Sequence, residues 1–142
     1  MRYFSALALT LCFLLGTSVE ALAQKAMSWM DLSQIEYVKE NNRWVMKVSP
    51  DVESLAGQQI KIEGFMMPLE QSQEQKHFIL SGNPVAGCNF CMPGGPESMI
   101  EVKADTGVTF SYEPVTIVGT LEILKDDPNG LIYRMTAAGP AS

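Results

Sequence analysis
Between Arg43 and Met135 apolar residues recur at every second position, in short runs broken by Gly, Pro, Asn and Asp. That period is the signature of strands with one buried face, and the turn residues between runs set where each strand stops. Val115, Ile117, Leu121 and Ile123 share one face, with Gly119 in the same row, where it allows the bend a small closed barrel requires. Trp44, Met46 and Val48 form a second such row over Arg43–Val48. In the run from Gln58 to Leu69 the parity changes, Ile60 and Ile62 on one side and Phe65, Met67 and Leu69 on the other, which predicts a bulge or bend at Gly64. A short strand over Lys76–Leu80 follows, then Met99–Lys103 and Val108–Tyr112 joined by a hairpin at Ala104-Asp105-Thr106-Gly107. Asp126-Asp127-Pro128-Asn129-Gly130 turns the chain into a last strand from Leu131. Helix is confined to two places. Ser28 and Asp31 make a capping box ahead of Trp29, Leu32 and Ile35, predicting a helix over 29–39 that ends at Asn41-Asn42. Ser49-Pro50 starts a second helical turn that Gly57 closes. The expected fold is mostly β: a small single-domain barrel or sandwich, OB-like, with a short N-terminal helix.

A chain of 142 residues, 46% of them apolar, has room for one core and one domain. Met1-Arg2, the apolar run Phe4–Leu15 and Ala21-Leu22-Ala23 are the three parts of a secretory signal peptide. The apolar run falls short of the roughly 20 residues that cross a bilayer, so no membrane span is expected to remain after cleavage. The expected division is a signal peptide over 1–23 and a β-rich domain over 24–142, exported across the inner membrane and, in a Gram-negative bacterium, periplasmic. Leu11 is too bulky for Cys12 to be a lipid-attachment site. Removing Arg2 and Glu20 leaves 9 basic and 15 acidic residues, so the net charge stays −6. With no basic run, nucleic acid and anionic membrane surfaces are excluded as partners.

The chemical signal is Gly87-Cys88-Asn89-Phe90-Cys91-Met92-Pro93-Gly94-Gly95-Pro96-Glu97. Two thiols at this spacing can hold a metal ion, cycle through a reversible disulfide, brace the loop as a permanent one, or simply be small apolar residues. Redox catalysis wants the first Cys at a helix N-terminus, and Pro93, Gly94, Gly95 and Pro96 oppose any helix here. A helix-breaking, glycine-rich turn after C-x-x-C suits a metal knuckle instead. Zinc usually asks for four ligands, so His77 and Glu97 are the further candidates, with water or a second chain's thiol as completion. Cu(I) needs fewer and could use Met66, Met67 or Met92 beside the thiolates. Asp126-Asp127-Asn129 lacks the spacing and glutamate of a calcium loop. No nucleophile–base pattern appears, and a single His leaves little room for acid–base catalysis, so no catalytic residue is assigned.

The runs Gly64-Phe65-Met66-Met67-Pro68-Leu69-Glu70, His77-Phe78-Ile79-Leu80, Cys88 to Glu97 and Gly119-Thr120-Leu121-Glu122 resemble an uncharacterised bacterial family of small exported proteins and lipoproteins, a domain of unknown function. The resemblance covers about Trp29 to Tyr133. It implies a small all-β domain with a Cys-containing loop after the third strand. Some relatives carry Cys-x-His where this chain has Cys88 and Cys91, an exchange that suits a metal ligand better than a disulfide partner. Some members of the family it resembles look associated with metal-responsive export or transport systems, which implies a membrane transport or assembly partner. The resulting expectation is an exported accessory protein that carries or senses zinc or copper through Cys88 and Cys91, with His77 and Glu97 as companions. The alternatives are a thiol–disulfide redox protein and a non-catalytic binding module braced by a Cys88–Cys91 disulfide.

Overall fold
The computed structural model describes residues 24–85 and 94–141. The expected signal peptide and the cysteines of the loop lie outside the described residues. Ten regular elements and one 3₁₀ turn follow in order: β1 Lys25–Ala26, α1 Trp29–Leu32, β2 Ile35–Glu40, β3 Arg43–Val48, α2 Pro50–Glu53, β4 Gln59–Pro68, β5 Glu74–Ser81, the 3₁₀ turn Pro96–Ser98, β6 Met99–Thr109, β7 Val115–Ile123 and β8 Tyr133–Pro140.

Five of these strands close on themselves in the order β4-β5-β6-β8-β7, with β7 returning to pair with β4. The β6–β8 pairing is parallel, and the β4–β5, β5–β6, β7–β8 and β4–β7 pairings are antiparallel. This is the Greek-key order of an OB-like barrel, and between the two expected architectures it is the barrel that forms. Inside stand Ile60, Ile62, Phe78, Leu80, Ile100, Val102, Ile117, Leu121, Tyr133 and Met135, all essentially sealed from solvent. Gly119 belongs to that inner row. A Cβ there would lie 2.5 Å from Met135 Cγ and 2.9 Å from Ala138 Cβ, so the missing side chain is what lets β7 and β8 close tightly.

Three local expectations are corrected. The capping box at Ser28 and Asp31 is present, but α1 stops at Leu32, and residues 35–40 are the strand β2 rather than more helix. Asn41 and Asn42 both take positive φ (48° and 63°), the backbone of a two-residue I′ hairpin turn, so they join β2 to β3 instead of ending a helix. The parity of β4 does not switch at Gly64: Ile60, Ile62, Gly64 and Met66 all face inward. What changes at Gly64 is the partner, since Gly64 still pairs with Val115 of β7 and Phe65 already pairs with Ser81 of β5. A Cβ on Gly64 would meet the Ser81 carbonyl oxygen at 2.6 Å, so the strand uses Gly for close approach rather than for a bulge. Finally, Ala104–Gly107 is not a hairpin. It is an irregular step within the single strand β6, where β5 advances from Gln75 to His77 while β6 runs from Val108 back to Lys103. The Ser49–Pro50 helix start is as expected, Ser49 accepting from the Val52 amide and Pro50 occupying the first turn.

Candidate functional site
The segment that carries Cys88 and Cys91 lies outside the described residues, but its two roots do not. β5 ends and β6 begins side by side, with Ser81 opposite Met99. The Gly82 amide donates to the Ser98 carbonyl at 3.0 Å, and Ser81 Oγ donates to the Asn83 carbonyl at 2.9 Å while accepting from the Asn83 amide at 3.1 Å. On the returning side Ser98 donates to the Gly95 carbonyl through both its amide and its hydroxyl, at 2.9 and 2.7 Å. Gly94 has φ +128°, and a Cβ on it would fall 2.5 Å from Ser98 Oγ and 3.2 Å from Asn83 Nδ2. The chain therefore leaves and re-enters the barrel at one point. That point is fastened by Trp29: its indole lies flush on Gly82 and Gly64, and its Nε1 donates to the Glu63 carbonyl at 2.7 Å.

The run Gly64–Glu70 starts at this end, where Phe65 pairs with Ser81, and follows β5 back to its opposite end, where Glu70 meets Lys76 and His77. Met66 points inward at 4% exposure, and half-buried Met67 pairs with Ile79. Glu70 turns its carboxylate onto the backbone amides of Lys76 and His77 at 2.9 and 3.3 Å. The Lys76 amide bond is the main reason that carboxyl sits below its ordinary range. Gln75, itself buried, donates to the Glu70 and Ser72 carbonyls and so closes the β4–β5 loop. A groove of about 580 Å³ opens here between Met66, Met67, Leu69, Val85, Phe110 and Tyr112. Val85 is the last described residue before the cysteine segment, and half-buried Met67 lines the same groove, while the Met66 side chain turns into the core.

His77 and Glu97, the two further candidate ligands, stand in separate surroundings. His77 lies on the outer wall, with Nε2 2.8 Å from Glu101 Oε1. Glu97 is in the first turn of the 3₁₀ helix, its carboxylate folded back over Gly95, and its charge reaches the phenol of Tyr133. Burial foremost, and that charge next, push the Tyr133 hydroxyl up to about 12; it donates to the Leu32 carbonyl at 2.6 Å inside the barrel. Among the described residues no three His, Cys, Asp or Glu side chains converge as a metal site would require.

One cluster escapes a reading by sequence alone. Glu101, 8% exposed, accepts from Arg134 Nε at 2.5 Å and meets His77, with Lys103 Nζ 3.9 Å away. Arg134 extends the network to Glu122 and Asp127 at 3.9 and 3.8 Å. Burial raises the Glu101 carboxyl, yet the Arg134 and His77 hydrogen bonds and the neighbouring cations outweigh it and hold the group below its ordinary value. Glu101 and Arg134 are 33 residues apart and meet only because β6 and β8 run parallel. The only sequence signal is a charge standing at an outward position of each strand.

A family described as a protein of unknown function, DUF3299, matches residues 15–138. The chain belongs to the DUF3299 family. The crystal structure of a DUF3299 family protein from Pseudomonas aeruginosa PAO1 is similar to it in fold, with a TM-score of 0.60 at 19% identity, over 84% of this chain and 97% of that one. No curated protein matches this DUF3299 chain. No helix among its described residues is long and apolar enough to cross a membrane.

Proposed function
We propose that this DUF3299 protein is an exported accessory protein that holds one soft or borderline transition-metal ion, Cu(I) or Zn(II), through the thiolates of Cys88 and Cys91, for delivery to or sensing by a membrane partner. The observation that carries this reading is the fastened root of the cysteine segment. Contacts at Asn83, Gly94 and Ser98 hold the two roots of the segment together, and that joined base is what supports reading it as a compact ligand-holding loop. Met67, which lines the groove beside Val85, favours a soft ion, because sulfur donors select Cu(I) over harder cations. Glu97, on the turn that directly follows the segment, is the nearer of the two supplementary ligands along the chain. His77 is already engaged by Glu101.

In this role the barrel is a rigid support and the loop is the working part. Binding requires both thiols deprotonated, so affinity rises with pH until the thiolates are fully formed. Elemental analysis of protein isolated under reducing conditions from the exporting compartment tests the reading. About one copper or zinc per chain is expected for the wild type, with loss of that metal in Cys88→Ser. Metal-free wild-type protein, or the same metal content in Cys88→Ser, contradicts it. A metal-free pair cycling at a potential above about −270 mV would assign the loop to thiol–disulfide exchange instead.

A further inference from the structure
The hairpin β2–β3 forms a sheet separate from the barrel, and among the described residues its two strands pair only with each other. Its register sums Glu40 with Arg43, Val38 with Val45 and Glu36 with Lys47, and the Ser49 amide continues the ladder to the Gln34 carbonyl at 2.9 Å. Across a two-residue turn the flanking pair exchanges both backbone hydrogen bonds, so Arg43, Val45 and Lys47 bond towards β2. The amides and carbonyls of Trp44, Met46 and Val48 then point away from the hairpin, and among the described residues they have no backbone partner. Alongside this free edge runs a mainly apolar groove of about 560 Å³, lined by Met46, Val48, Pro50, Ile123 and Leu124 together with the charged Lys47, Asp126 and the Lys125–Glu53 ion pair. Near the hairpin's tip Trp44 is 71% exposed, and Tyr37, opposite Met46, is 56% exposed, both on the same face as Met46 and Val48. An open edge beside an apolar trough is complementary to one kind of object, another strand.

We propose that the occupant is the β3 strand of a second copy of this chain, paired antiparallel about Met46 on a two-fold axis. The free-edge groups must face each other, which restricts the registers to those matching even-numbered residues with even-numbered ones. Matching Trp44 with the partner's Met46 would set Arg43 against the partner's Lys47, twice over. Matching Met46 with the partner's Val48 would set Lys47 against the partner's Lys47. Matching Trp44 with the partner's Trp44 leaves only three residues of overlap at the hairpin tip. Placing Met46 opposite the partner's Met46 avoids all three defects: Val45 faces the partner's Lys47, and Trp44 faces the partner's Val48. Opposed residues share a face, so each indole is delivered to the end of the partner's groove where Val48 and Pro50 lie. The cations that guard this edge against other pairings thus select one register. The strand is self-complementary, as an isologous interface requires.

Light scattering over a concentration series, applied to the purified protein, tests this. The expected result is twice the chain mass at tens of micromolar, with Trp44→Glu halving that mass while the far-UV circular dichroism and thermal midpoint stay unchanged. A Met46→Cys variant carried on a Cys88→Ser, Cys91→Ser background reports the register independently, since oxidation should yield a covalent dimer through residue 46. A chain that stays monomeric at a few hundred micromolar overturns the proposal. So does a dimer that survives Trp44→Glu and gives no cross-link through position 46.

Discussion

At the scale of single residues, the most constrained polar group is Glu101. Its side chain is 11% exposed, against 24% for Arg134, so the pair is mostly out of water without being sealed. Removing one partner of such a pair leaves a charge without compensation. Arg134→Ala is therefore expected to cost about 2–3 kcal/mol of unfolding free energy in chemical denaturation, below the range for fully buried pairs because solvent still reaches the arginine. The acid limb follows from the same carboxyl. Its folded value lies below the ordinary 4.5, so its ionised form stabilises the fold above about pH 4.5, and that contribution disappears as pH falls through the lowered folded value. Glu101→Gln is expected to flatten the fall in stability as the pH drops below about 4.5; an unchanged acid limb would show that Glu101 does not carry it. None of this cluster was legible in the sequence, where Glu101 and Arg134 read as ordinary outward positions on separate strands. The pairing depends on a crossover that periodicity does not encode. His77 was singled out in advance, but for a ligand role rather than for this contact.

At the scale of elements, strand periodicity carried most of the fold and failed where a turn or a glycine had two meanings. β3 and β7 lie where their alternation puts them, and the Ser49-Pro50 turn does too. Asn41-Asn42 misled because the same two residues can end a helix or make a I′ hairpin turn; β-branched and aromatic residues at Ile35, Tyr37 and Val38 decide for the strand. Both asparagines hold φ values that cost a β-branched residue about 1–2 kcal/mol, so Asn42→Val is expected to destabilise the hairpin by that amount, while Asn42→Gly is tolerated. Amide exchange across β2 and β3 measures it. Gly64 misled in another way. Phe65 and Leu69 suggested a parity change, whereas the inward row runs straight through Gly64 to Met66. Its reason for being glycine is the Ser81 carbonyl and the Trp29 indole pressed against it. Gly64→Ala is expected to cost about 2–3 kcal/mol, since a backbone oxygen at 2.6 Å cannot rotate aside. A thermal midpoint equal to the wild type would contradict that packing argument.

At the scale of the whole molecule, a closed barrel solves the edge problem for five strands and leaves two features beside it among the described residues: the joined roots of the cysteine segment at one place and an unpaired hairpin edge at another. The site was legible in the sequence only as composition, a C-x-x-C among glycines and prolines. What the sequence could not convey is that Asn83 and Gly94, eleven positions apart, are brought together at its root, and that Val85 and Met67 line one groove. If the chain is exported as its first residues suggest, the mature protein starts at Gln24, and N-terminal sequencing of the cell-derived product should read Gln-Lys-Ala-Met. A start at Met1 would remove the leader from the account. The thiolate pair is probed most directly by X-ray absorption on the zinc-loaded, reduced protein. Two sulfur neighbours at about 2.3 Å, absent from the Cys88→Ser, Cys91→Ser double variant, are the predicted result. A shell of nitrogen and oxygen alone at about 2.0–2.2 Å, or the same spectrum from the double variant, would contradict it.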